Sequence, residues 1–170
     1  LCGTAQRLAR APDTGPRDRR RVPRLGRPMR RPAGRAEVES LPELLADARV
    51  AAGEGRHADA RAKAGEVLRG EPLNADAYFL RGLVQREGGD AAAALVSLRR
   101  ALYVDPAFGL AAFTAGRAHD ALGDAPAALR AYEQALRTLE PGDDRHEELL
   151  DQVDLGDVAA ACRARISALR

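Results

Sequence analysis

The side chains here with the chemistry to catalyse or ligate are His57, His119 and His146, Ser40, Ser97 and Ser167, and Cys2 and Cys162. A metal site needs such ligands in short, face-sharing spacings, and none of the three histidines has a Cys or a second His at i+3 or i+4. The two cysteines cannot build a disulfide framework. The serines lack both a nucleophile-elbow motif and an accompanying base. Paired acids, Asp143/Asp144 and Glu147/Glu148, read as favourable charge at a helix N-terminus. No strand leads into a Gly-rich loop that would cradle a cofactor. The expectation is a chain with no catalytic residue, no metal and no cofactor. Its remaining chemistry is recognition.

Composition narrows the scaffold that would position such recognition. Hydrophobic residues make up 45% of the chain, enough for a core, but aromatics are only 4% and Trp is absent. Ala and Leu dominate and Ile166 is the single isoleucine, a balance that favours helix over sheet. No run approaches the ~20 apolar residues of a membrane span. An all-β domain, a disulfide scaffold and a transmembrane protein are excluded.

The formal charge of +2 conceals two opposed parts. Residues 1–40 carry eleven Arg against four acids, a balance of +7, while 41–170 carry 16 bases against 21 acids, a balance of −5. Five prolines interrupt the basic arm, and its apolar residues follow neither helical nor strand spacing. Such a segment is expected to be a disordered linker, because it buries too little to offset chain entropy. Electrostatic attachment to nucleic acid or an anionic surface is the functional alternative, disfavoured because no aromatic is interleaved to stack on bases. No apolar h-region follows the charges, so a secretory signal is not expected and the cytoplasm is the expected compartment. The chain opens on Leu1 rather than Met, which leaves an upstream segment open.

The body repeats. Shifted by 34 residues, 75–108 matches 109–142 at eleven identical positions, including Phe79/Phe113, Gly82/Gly116, Gly89/Gly123 and Asp90/Asp124. A weaker copy at 41–74 keeps Leu45, Ala48, Gly55, Ala60, Leu68 and Pro72 in register. A period of this length indicates stacked helix–turn–helix units. Each first helix has a small residue (Ala48, Gly82, Gly116) where a neighbour must come close. Gly-Asp then ends that helix and caps the next, since Gly takes the left-handed position and Asp accepts from free N–H groups. Second helices show one apolar face: Ala94, Leu95, Leu98, Ala101 and Leu102, then Ala128, Leu129, Tyr132, Ala135 and Leu136. Residues 143–170 should form a closing cap, with Val158, Ala161, Cys162, Ile166 and Leu169 on one stripe and Leu149, Leu150 and Val153 before it. Cys162 on that stripe reads as a buried, inert thiol.

These features resemble the tetratricopeptide repeat: a small residue in the first helix, a Gly-Asp turn, Ala/aromatic/Ala in the second helix and a closing Pro. The resemblance implies an all-α superhelical solenoid of three units, 41–74, 75–108 and 109–142, plus the cap. A narrower resemblance lies in Asn74–Gly82 and in Ser97-Leu98-Arg99-Arg100-Ala101-Leu102-Tyr103-Val104-Asp105-Pro106-Ala107-Phe108. These runs are similar to the repeat tail of some bacterial chemotaxis-type protein-glutamate methyltransferases, the CheR family, over roughly 41–169. The resemblance implies a parent that uses S-adenosylmethionine to methylate receptor glutamates. This sequence holds no methyltransferase core, so no catalytic or cofactor residue carries over.

In a curved stack the first helices line the inner groove, the usual place for peptide docking. That register assigns Leu45, Arg49, Phe79, Leu83, Arg86, Phe113, Arg117 and Asp120 to the groove. Phe79 and Phe113 are candidate anchors, and the arginines candidate grips for a carboxylate-bearing peptide. The competing reading of the same residues is inter-repeat core for the phenylalanines and solvated surface for the arginines. The expected partner is a protein or peptide, with chemoreceptor or chemotaxis signalling proteins the candidates, and nucleic acid is not expected.

Overall fold

In the computed structural model, residues 40–139 and 154–170 are described. The basic arm, His146, the two acid pairs and the first part of the expected cap lie outside them, as does Cys2. Seven helices and no strand occur among the described residues: α1 (Leu41–Gly53), α2 (His57–Gly70), α3 (Ala75–Glu87), α4 (Ala91–Val104), α5 (Gly109–Ala121), α6 (Ala125–Thr138) and α7 (Leu155–Leu169). The fold is the all-α helical-repeat solenoid with a closing helix.

The turns act as their chemistry requires. Gly55, Gly89 and Gly123 all take positive φ (73°, 87° and 72°), the conformation that leaves a helix tightly and that side chains with a Cβ avoid. The following helices start on side-chain caps, with Ala93 N–H donating to Asp90 Oδ1 (2.9 Å) and Ala127 N–H to Asp124 Oδ1 (3.1 Å). Asn74 does the same for α3, accepting from Ala77 N–H at 2.9 Å. Pro126 sits in the first turn of α6, where its missing N–H leaves no bond unmade.

Packing follows the small positions. A Cβ on Gly82 would stand 2.7 Å from Leu98 Cγ, and one on Gly116 2.7 Å from Tyr132 Cε1. The glycines thus let α3 and α5 lie directly against α4 and α6. In the first pair Ala48 and Ala64 are both fully buried, so two small residues share the space that one glycine and one large residue occupy later. Ala94, Leu98, Ala101, Ala128, Tyr132 and Ala135 are likewise buried, giving the expected apolar faces.

Each helix packs on the next along the chain, and the first helices of successive units also touch one another. The second helices approach their counterparts less, so the stack curves with α1, α3 and α5 inside. Helix α7 continues the inner row. It packs on α6, touches α5, and buries Val158, Cys162 and Ile166. Ala161, placed on that stripe by spacing, is exposed instead.

Candidate functional site

The residues with catalytic potential are occupied by structure. Ser97 is 1% exposed, and its Oγ accepts from Arg81 Nε (3.0 Å) beside the Gln85 amide. Ser40 precedes α1, and its N–H donates to Glu43 Oε2 (2.8 Å) in a capping arrangement. His57 pairs with Glu87 (3.5 Å) at the start of α2. His119 Nδ1 lies 3.6 Å from Asp124, and burial holds the imidazole below its ordinary pKa. Cys162 is fully buried, and burial pushes its thiol up to about 11. No cluster of three metal-ligating side chains exists among the described residues.

The eight residues assigned to the groove separate into three sets. Phe79 is core: it is 0% exposed and its ring stacks, tilted, on Phe108 at 4.9 Å between centroids. A partner could not reach it without dismantling the junction between the second and third units, so its role as an anchor is corrected. Leu83 is buried to 9% exposure and offers only an edge. Leu45 and Arg49 are half-buried on α1, away from the other candidates.

Phe113, Arg117 and Asp120 come together with three residues the groove register did not assign. They line an open depression of about 400 Å³ with Tyr132 of α6 and with Ala161 and Arg165 of α7. Phe113 tilts against Tyr132 (6.0 Å between centroids), and the Arg117 guanidinium stands 6.0 Å from the Phe113 ring centre. Asp120 is not a free acid. Its Oδ2 accepts from Tyr132 Oη (2.6 Å) and Arg165 Nε (3.0 Å), and Arg165 Nη2 reaches Oδ1 at 2.9 Å. That forked pair joins α7 to α5.

Ionisation in this cluster follows from those contacts. Burial pushes the Asp120 carboxyl up, but the bonds from Arg165 and Tyr132 outweigh it and hold the group below its ordinary value. Tyr132 moves the other way, raised by burial and by its bond to the Asp120 carboxylate. Arg86 approaches from α3 with a side chain only 14% exposed, reaching Glu87 at 3.2 Å. Its Nε is buried without a hydrogen-bond partner. Burial lowers its basicity first, and the neighbouring Arg117 charge lowers it further.

Spacing could not have found Tyr132 and Arg165 as site residues. Tyr132 occupies a core position of its helix, and Arg165 lies 45 residues from the acid it binds.

Comparison with known proteins agrees with this architecture. The tetratricopeptide-repeat profile matches residues 75–108. The array is built of tetratricopeptide repeats. Over 122 residues the chain is 35% identical to the probable biofilm formation methyltransferase WspC of Pseudomonas putida. That alignment takes in 72% of this chain and 28% of the relative, so the chain spans under a third of that protein. Among solved structures, the type III secretion translocator chaperone SycD of Yersinia enterocolitica superposes with a TM-score of 0.65 at 13% identity, over 76% of this chain and 82% of that one. PcrH in complex with the chaperone binding region of PopD gives 0.65 at 20% identity, over 76% and 90%. The first tetratricopeptide domain of Spaghetti (RPAP3), bound to an HSP90 peptide, gives 0.62 at 18%, over 76% and 94%. At these identities the structural likenesses establish the fold.

Proposed function

We propose that this chain is a non-catalytic protein-interaction module, which holds a partner segment along the inner face of its repeats and serves bacterial chemotaxis-type signalling. The observation that carries the reading is the commitment of the reactive side chains. The described histidines, Ser40, Ser97 and Cys162 are in caps, ion pairs or core, whereas the inner face keeps half-exposed Phe113 and exposed Arg117. The groove in this reading runs from Leu45 and Arg49 past the edge of Leu83 to Arg86, Phe113 and Arg117. Asp120 shapes it rather than binds in it. The signalling context rests on the likeness to WspC across the repeats. Pull-down with signalling components tests it. Phe113→Ala and Arg117→Ala should each weaken capture, and unchanged partners in both variants would remove the groove.

A second reading is supported by the same relative. WspC is called a methyltransferase and extends well beyond the matched stretch, so this chain would be the repeat tail of a longer S-adenosylmethionine-dependent protein-glutamate methyltransferase. Genomic sequence upstream of Leu1 separates the two: an in-frame methyltransferase core supports the second reading, and an unrelated neighbour with its own stop counts against it.

A further inference from the structure

The depression between α5 and α7 has a specific chemistry. Its floor is Phe113, Tyr132 and Ala161, and its rim holds Arg117 and Arg165, with Arg86 close enough to bear on both Arg117 and Tyr132. Against three guanidinium groups there is one carboxylate, Asp120, and both of its oxygens are engaged by Arg165 while Tyr132 adds a third bond. Two positive charges therefore remain uncompensated over an aromatic floor. Arg86 is mostly buried, and its Nε lacks the acceptor that a buried N–H requires. Holding like charges together in a partly desolvated place is unfavourable unless an anion joins them. The volume of about 400 Å³ suits one large apolar side chain with a carboxylate beside it.

We propose that this depression is a binding pocket for an acidic peptide segment of a partner protein, in which an aliphatic or aromatic residue neighbours a carboxylate. The apolar side chain covers Phe113 and Ala161 while the carboxylate bridges Arg117 and Arg86. The identity of the pocket rests on the interaction-module reading above but adds a location and a ligand class to it. A peptide fits better than a polyanion, because the residues from 41 onward hold 21 acids against 16 bases and would repel an extended phosphate chain. The last wall comes from α7, so the site exists only with the closing helix docked.

Fluorescence polarisation on the full chain tests the proposal, with two labelled decapeptide probes that differ only in alternating Glu-Leu against Gln-Leu. The Glu probe should bind about tenfold tighter than the Gln probe, and Arg117→Ala should lose about that factor. Affinity should fall with added salt, and Arg99→Ala, on the exposed face of α4, should change nothing. Equal binding of both probes, or an unaffected Arg117→Ala, overturns the pocket. If that binding is instead lost in Arg49→Ala, the groove reading survives without the pocket. Absence of binding by either probe overturns the pocket alone when pull-down still captures a partner. A labelled oligonucleotide that binds as tightly as the Glu probe, and is lost in Arg117→Ala, replaces the peptide with nucleic acid and also overturns it.

Discussion

Gly116 and Gly65 pose the same substitution in opposite surroundings. Both lie inside helices, where Gly→Ala restricts the unfolded chain and favours helix by about 1 kcal/mol. At Gly65 an added Cβ meets nothing within 4 Å, so the whole gain should appear as stability. At Gly116 the new Cβ would stand 2.7, 2.8 and 2.9 Å from three atoms of the Tyr132 ring. That ring cannot swing aside cheaply, because it is 1% exposed and its hydroxyl is tied to Asp120 at 2.6 Å. Overpacking of this kind costs about 1–3 kcal/mol, so the helix gain is offset or reversed. The two variants should therefore differ by about 1–3 kcal/mol, with Gly65→Ala the more stable. Urea unfolding followed by circular dichroism reads both midpoints, with a common slope checked first because repeat arrays can lose cooperativity. Equal stabilisation by both substitutions would refute the claim that the small position exists to admit Tyr132.

Two further outcomes probe the joint between the last repeat and α7. Tyr132→Phe should cost about 1 kcal/mol at neutral pH by removing the bond to Asp120. Because the folded state depresses the Asp120 carboxyl below its ordinary 3.8, this joint contributes fully above that value and weakens as pH falls through the folded pKa. Urea midpoints taken from neutral into acid should show that acid loss in the parent and less of it in Tyr132→Phe; parallel curves would contradict the assignment. Cys162, buried with its thiol raised to about 11, should react slowly with a maleimide, and Arg165→Ala should speed labelling of the Cys162 peptide in mass spectrometry. Unchanged labelling would mean that the Asp120–Arg165 pair does not hold α7 in place.

What could be read from the chain as written is what local chemistry and period decide. A 34-residue repeat, glycines able to take positive φ and acids able to cap the next helix are properties of neighbours in sequence, and each appears in the structure where spacing put it. The side of a helix that faces solvent is a different kind of fact, because it depends on what a distant segment brings. Phe79 and Phe113 share one register position, yet Phe79 is sealed by Phe108 while the residue 34 positions after Phe108 is Gly142, and Phe113 stays half-exposed. Asp120 looked like a groove acid until α7 delivered Arg165 from 45 residues away. Periodicity alone determined the helices and their order, since helical patterning and capping act over a few residues. Only the stacked structure decided which of those side chains are core, which are latch and which remain open to a partner, since burial is settled by contacts that no single repeat contains.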